Sequence, residues 1–145
     1  MKRTLFIAFL GLTLFSCRKS NDGPLAGFPD LAGTWKMVLV KENNTGLSIS
    51  KPSTVTGDVQ ITIMHTTGNN GEYNGHTPTN TIMDNAFSVG DNRTISFPSL
   101  GMTQVMETQW GLYFVLHISS STEYSMYDNK LAIKTANLTL IFERV

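Results

Sequence analysis

Residues 31–42 read LAGTWKMVLVKE, and the way this stretch alternates decides the fold class. After Gly33, the nine residues TWKMVLVKE are rich in aromatic and β-branched side chains, which suit a half-buried strand. A period of two places Trp35, Met37 and Leu39 on one face and Thr34, Lys36, Val38 and Val40 on the other. The indole side is the face expected to meet a core. Asn43-Asn44-Thr45-Gly46 then supplies a turn. The folded part of the chain therefore begins with a strand.

The same rhythm continues downstream. Pro52 and Gly57 break residues 47–57 into a loop or an edge strand. Residues 58–65 (DVQITIMH) form a strand with Val59, Ile61, Ile63 and His65 on one face and Gln60, Thr62 and Met64 on the other. Residues 66–75 (TTGNNGEYNG) are full of Gly and Asn and read as a hairpin tip, with a strand starting at Glu72-Tyr73. Short strands are expected at 81–84, 86–89 and 93–97, separated by Asn85 and by Gly90-Asp91-Asn92. After residue 121, three more are expected at 122–127, 131–134 and 138–145, with turns at 128–130 and 135–137. In the last strand, Leu138, Leu140, Phe142 and Arg144 share a face.

One segment departs from this period. Met102, Val105, Met106, Trp110, Tyr113, Phe114 and His117 recur at intervals of three and four, which predicts a helical face over about 102–117. Thr103 is the candidate cap, with Glu107 one place late for a capping box. Gly111 inside the segment costs about 1 kcal/mol relative to Ala. The fold class expected is α+β: an antiparallel, strongly curved sheet or partial barrel of short strands with one principal helix.

Working back to the N-terminus, the chain opens MKRTLFIAFLGLTLFSCRKSND. Lys2 and Arg3 precede an apolar run, Thr4 to Phe15, that is shorter than the ~20 residues a bilayer requires. It has the length of a secretory signal core. Its end, Leu14-Phe15-Ser16-Cys17, resembles the lipobox of bacterial lipoproteins. That resemblance implies diacylglycerol attachment to the Cys17 thiol, cleavage before it and acylation of the new N-terminus. Several acyl chains anchor firmly where one is marginal, since each buried CH₂ contributes about 0.8 kcal/mol. Cys17 is the only cysteine, so no intrachain disulfide is possible. The organisation expected is a signal peptide over 1–16, a lipidated tether over 17–30 and one domain over 31–145. Arg18 to Phe28, polar and bearing Gly and Pro, suits a tether. Arg18 carries no acidic retention signal, so an outer-membrane location is expected, facing either the periplasm or the cell surface.

Charge and composition narrow the function. The chain has 11 Lys+Arg and 11 Asp+Glu, and the signal removes two of the cations. Without a basic stripe, a nucleic-acid partner is not expected. A domain of this size buries a core without disulfides or metal.

Several motifs, in order, resemble the META/HslJ-like domain of bacterial envelope proteins. LAGTWKM is similar to that family's opening Gly-x-Trp strand, and GNNGEYNG to its Gly-x-Asn-x-aromatic-x-Gly turn with one extra residue. GMTQVMETQWGLYFVLH is similar to its Thr-x-Met segment leading into a Glu-bearing helix, and NKLAIKTANLTLIFERV to its closing hairpin. The resemblance covers roughly Leu31 to Val145. It implies an α+β domain in the envelope and no established reaction. Where many members carry cysteines, this chain has Asn69-Asn70 and Val105-Met106, so a redox role is not carried over. A second resemblance is to the lipocalin-like barrel, which also opens Gly-x-Trp and places a late Arg, here Arg144, over that indole. A helix in the middle of the chain departs from it. Both resemblances imply that Trp35 and Arg144 meet as a structural pair.

Catalytic signatures are lacking. There is no Gly-x-Ser-x-Gly, phosphate-cradling glycine loop or His-Glu-x-x-His, and nothing pairs Glu107 with Glu123 as acid and base. His65, His76 and His117 are scattered, so neither a metal nor another cofactor is expected. The binding candidates are Asn70, Tyr73 and His76, in the polar-aromatic cluster around residues 70–76. Two roles follow: a non-enzymatic envelope lipoprotein that binds a protein partner or supports the envelope, or a lipocalin-like carrier of a small apolar ligand.

Overall fold

The computed structural model describes residues 31–145, with the side chains of residues 65–67 not among those described. The expected signal peptide, Cys17 and the expected tether lie outside the described residues.

The stretch after Gly33 forms β1 (Gly33–Glu42), and the sheet is built on its two edges. Along one edge lies β9 (Leu138–Arg144), with Trp35 opposite Arg144 and Glu42 opposite Leu138. Along the other lie β3 (Gln60–Thr67), opposite Gly33 to Lys36, and the short β2 (Ser48–Ser50), opposite Leu39 to Lys41. Residues 47–57 are thus a loop whose start is an edge strand. From β3 the sheet continues through β4 (Asn70–His76), β5 (Thr81–Val89) and β6 (Ile95–Ser96). From β9 it continues through β8 (Lys130–Thr135) to β7 (Ser121–Tyr127). The order is β6-β5-β4-β3-β1-β9-β8-β7, and every pairing is antiparallel. The two ends of this sheet approach each other, with Thr94 bridging to Glu123. The result is a nearly closed barrel with one short helix, α1 (Gln109–His117), in the connection between β6 and β7. This is the α+β partial barrel expected from the sequence.

Local irregularities change three sequence expectations. The first is in β1, where the register shifts between Met37 and Leu39. An extra residue in a bulge inverts the alternation beyond it. Trp35 and Met37 face inward as expected, but Val40 follows them into the core and Leu39 does not.

The second is in β5. Residues 81–84 and 86–89 are one strand, not two. Ile82 and Phe87 are both buried although five positions apart. A regular strand would point them to opposite faces. Asp84 sits at φ +50, and β4 shifts register against β5 between Tyr73 and Gly75. The polar break at Asn85 therefore marks a bulge inside a strand rather than its end.

The third concerns the helix, which starts at Gln109 and not at Met102. Residues 101–103 lie extended along β5: Met83 N–H donates to the Gly101 carbonyl at 3.1 Å, and Thr103 N–H donates to the Thr81 carbonyl at 3.0 Å. Backbone groups engaged by a neighbouring strand are not free to begin a helical ladder. Val105 and Met106, which continue the apolar period, are 58% and 92% exposed. The cap is Thr108, whose hydroxyl accepts from Gly111 N–H at 3.1 Å. The true helix buries Trp110, Gly111 and Phe114, with Phe114 edge-on to Phe142 of β9 at 6.4 Å.

The barrel interior is occupied by side chains. Trp35, Tyr73, Phe97, Trp110, Phe114 and Phe142 are all fully buried in one cluster with Ile61, Leu131, Ile133 and Leu140.

Candidate functional site

Trp35 and Arg144 come together where the first and last strands pair. The Arg144 guanidinium lies 4.5 Å from the indole ring centroid. One of its NH groups also donates to the Ala32 carbonyl at 3.0 Å, while the indole N–H donates to the Leu31 carbonyl at 2.8 Å. Gly33 completes the unit, since a Cβ there would stand 2.8 Å from the Arg144 nitrogen, and its φ of +135 favours glycine. The glycine of the Gly-x-Trp pair thus makes room for an arginine 111 residues later. Because the indole is fully buried and the guanidinium closes over it, this arrangement is structural.

Asn70, Tyr73 and His76 all lie on β4, but they do not form one site. Asn70 and His76 face outward, and Tyr73 faces the core. Tyr73 packs edge-on to Phe97 at 5.0 Å and its hydroxyl donates to the Ser99 carbonyl at 2.9 Å. Burial raises its pKa well above the ordinary phenol value. Asn70 and Tyr73 stand three positions apart, an odd interval, and that parity alone puts them on opposite faces. Tyr73 is therefore a core residue. Replacing it with Phe keeps the ring contact and removes one hydrogen bond. A loss of about 1 kcal/mol is expected in urea unfolding, the net worth of one such bond. A loss near zero would mean that the Ser99 carbonyl finds water instead.

The strongest polar constellation is one that the sequence reading passed over. Residues 99–108 run as a strap beside β5, held by the buried amides of Asn80 and Asn85. Asn80 Oδ1 accepts from Val105 N–H at 2.8 Å and from the Thr103 hydroxyl at 3.1 Å, while its Nδ2 donates to the Val105 carbonyl at 2.9 Å. Asn85 Nδ2 donates to the Gly101 carbonyl at 2.9 Å, and its Oδ1 accepts from Gly101 N–H. Glu107 joins the strap to α1. One carboxylate oxygen accepts from Asn80 Nδ2 at 2.9 Å and from the Thr77 hydroxyl. The other accepts from Thr108 N–H at 2.8 Å and faces the Thr108 hydroxyl at 3.2 Å. Burial alone would push the Glu107 carboxyl up, but the hydrogen bonds from Thr77, Asn80 and Thr108 outweigh it and hold it below the usual carboxylate range. A Cβ at Gly111 would fall 2.3 Å from this carboxylate, so the glycine that weakens the helix leaves space for the acid. With both oxygens taken by protein donors, Glu107 is a staple rather than a proton-transfer group. The signal in the sequence was the Glu107-Thr108 pair before the helix, displaced from where the apolar period put the cap.

An open cleft lies on the outer surface. It has a volume of about 490 Å³ and lies across β3, β4 and β5, lined by Gln60, Asn74, Gly75, His76, Met83 and Asp84 among others. The bulge of β5 at Asp84 lies here, opposite the Tyr73–Gly75 segment of β4. At Gly75 φ is +156, and a Cβ would lie 2.0 Å from the Gln60 carbonyl oxygen. Of the three binding candidates, only His76 borders this cleft. His117 ends α1, and His65 lies in β3 with its side chain outside those described. Among the described residues, no group of three or more His, Cys, Asp or Glu side chains is placed to hold a metal ion, and no helix is long and apolar enough to cross a membrane.

Neither a family model nor a curated protein matches this chain. Its fold is similar to the crystal structure of a DUF4847 family protein from Bacteroides vulgatus ATCC 8482, with a TM-score of 0.55 and 14% sequence identity over 79% of this chain and 94% of that one. At that identity the likeness concerns the fold alone.

Proposed function

We propose that this chain is a non-enzymatic lipoprotein of the bacterial cell envelope, with a META/HslJ-like domain held at the outer membrane through Cys17 and binding a partner through its outer surface. The observation that carries the binding reading is the occupied interior. Six fully buried aromatic side chains stand where a lipocalin-like carrier needs an apolar cavity of about 300 Å³ or more. The cleft across β3 to β5 instead opens on the outside, among polar side chains. The non-enzymatic reading rests on the dispersal of the histidines and on Glu107, whose carboxylate is consumed by structural hydrogen bonds.

The anchor rests on the short apolar run ending at Ser16-Cys17. Wild type and Cys17→Ser are to be expressed in cells fed labelled palmitate and then fractionated. Wild type should carry label and sediment with the membrane, and Cys17→Ser should carry none and lose most of its membrane association. Equal retention of both variants in the membrane pellet would overturn the lipoprotein reading.

A further inference from the structure

We propose that the cleft across β3, β4 and β5 binds a neutral saccharide. This deepens the reading of the domain as a module that binds through its outer surface, and it holds whether or not Cys17 is lipidated. The first observation is how the cleft is made. Antiparallel strands on a regular sheet present a gently convex outer face, and a hollow requires the backbone to depart from the pleat. Here it departs at a bulge in β5. Asp84 takes a left-handed φ of +50, and the extra residue shifts the register against the Tyr73–Gly75 segment of β4. A non-glycine residue in the left-handed region is strained, and such strain concentrates at ligand sites. The aspartate at this strained position projects at the rim of the hollow that its own backbone helps to form.

The second observation is the state of the side chains. The buried amides of Asn80 and Asn85 are saturated by the strap. By contrast, Gln60, Asn74, His76 and Asp84 make no side-chain hydrogen bond to another described residue. Two amides, an imidazole and a carboxylate therefore border one cleft with their donors and acceptors unspent. Met83, 49% exposed, lines the same cleft.

These groups select among ligand classes. An anion is disfavoured, because Asp84 is the acid on the cleft wall and no Lys or Arg lines it. An extended peptide has no strand edge to join: β4 is paired on both sides, and the far edge of β5 is taken by β6 and by the strap. A purely apolar ligand would strand four polar groups. A sugar ring fits the inventory. Its vicinal hydroxyls both donate and accept, which matches carboxylate and carboxamide groups, and its C–H face suits a methionine side chain. The volume, about 490 Å³, falls within the range of small-molecule sites. The open shape points to weak binding that gains from repeated units along a chain.

The test uses the full chain in a zwitterionic detergent without a sugar headgroup, labelled with nitrogen-15. Titrants are maltotetraose, cellotetraose and the tetramer of N-acetylglucosamine, with sodium acetate and inorganic phosphate as anionic probes. At least one tetrasaccharide should shift the amide resonances of residues 74–76 and 82–84 at concentrations on the order of 1 mM. Asn74→Ala and Asp84→Asn should each weaken that binding about tenfold, the worth of one hydrogen bond to a charged or carboxamide group. Their melting temperatures should stay close to wild type, since neither side chain is bonded within the domain and Asn tolerates a left-handed φ. If none of the sugars moves these residues, the saccharide proposal fails. It fails equally if the shifts fall elsewhere or if acetate or phosphate reproduces them. Shifts at these residues on adding envelope extract, with none on adding sugars, would overturn the ligand class while leaving the outer-surface binding reading in place.

Discussion

Replacing Trp35 with alanine lowers the stability of the domain by about 3–5 kcal/mol, the usual cost of deleting a buried indole. That is a large part of the ~5–15 kcal/mol that holds a domain folded. The site gives little opportunity for collapse. The ring is fully buried, its N–H is bonded to the Leu31 carbonyl, and Arg144 covers one face. Arg144→Ala should cost far less. The guanidinium is on an exposed residue, and a cation over an exposed indole contributes roughly 0.5–1 kcal/mol. Losing its bond to the Ala32 carbonyl adds to this modestly. A double-mutant cycle with Trp35→Phe, Arg144→Ala and the pair separates contact from bulk. Coupling of more than about 0.5 kcal/mol is expected, and strict additivity would mean that the two residues do not interact.

Removing the Glu107 carboxylate should have the next largest effect. Glu107→Ala removes the carboxylate that accepts from the Thr77 hydroxyl and the Thr108 N–H, and one of the three acceptors around the Asn80 amide, which keeps the Val105 carbonyl and the Thr79 hydroxyl. Thr77 and Asn80 are buried, and an orphaned buried donor costs about 1–3 kcal/mol. A net loss of about 3 kcal/mol is expected, on the order of one fully buried donor plus partial re-solvation of the others. The acid also stands at the N-terminus of α1, where a negative charge is favoured.

Its pH dependence has a definite sign. The folded-state pKa lies below the ordinary 4.5, so the folded state releases this proton more readily than the unfolded chain does. The stabilisation is fully present above about pH 4.5 and is lost as pH falls through the depressed folded-state value. Asp58 contributes in the same direction, held down chiefly by its hydrogen bond from Lys51 at 2.7 Å. The comparison that isolates Glu107 is therefore wild type against Glu107→Gln, which stays neutral throughout. Urea unfolding from pH 7 to pH 3 should show the gap between the two narrowing below about 4.5. Parallel curves would mean that the charge on Glu107 contributes nothing.

The β-rich class and the succession of strands were legible in residue order, whereas the opposition of the first and last of them was only what the family resemblances implied. Alternation is a local property: Trp35 and Met37, Val59 to Ile63, and Leu138 to Phe142 declare their inward faces without reference to partners. What alternation lacks is any sign of an inserted residue. The bulges after Met37 and at Asp84 are defined by register against a neighbouring strand, so Val40 replaced Leu39 in the core and two apparent strands became one. The helix was misjudged at its start for a related reason. Met102, Val105 and Met106 have helical spacing, yet Asn80, Thr81 and Asn85 hold that backbone extended beside β5. Those partners are 16 to 25 residues away in the chain, and a periodicity sum does not contain them. The binding candidates divide along the same line. Residue type singled out the polar and aromatic cluster of β4, but strand parity turned Tyr73 inward and left His76 on the cleft. Gln60, Asn74, Met83 and Asp84, drawn from three strands, became neighbours of His76 only when the sheet paired. Side-chain chemistry and local period are written residue by residue, whereas register and convergence are properties of pairs far apart in sequence, which only the folded sheet decides.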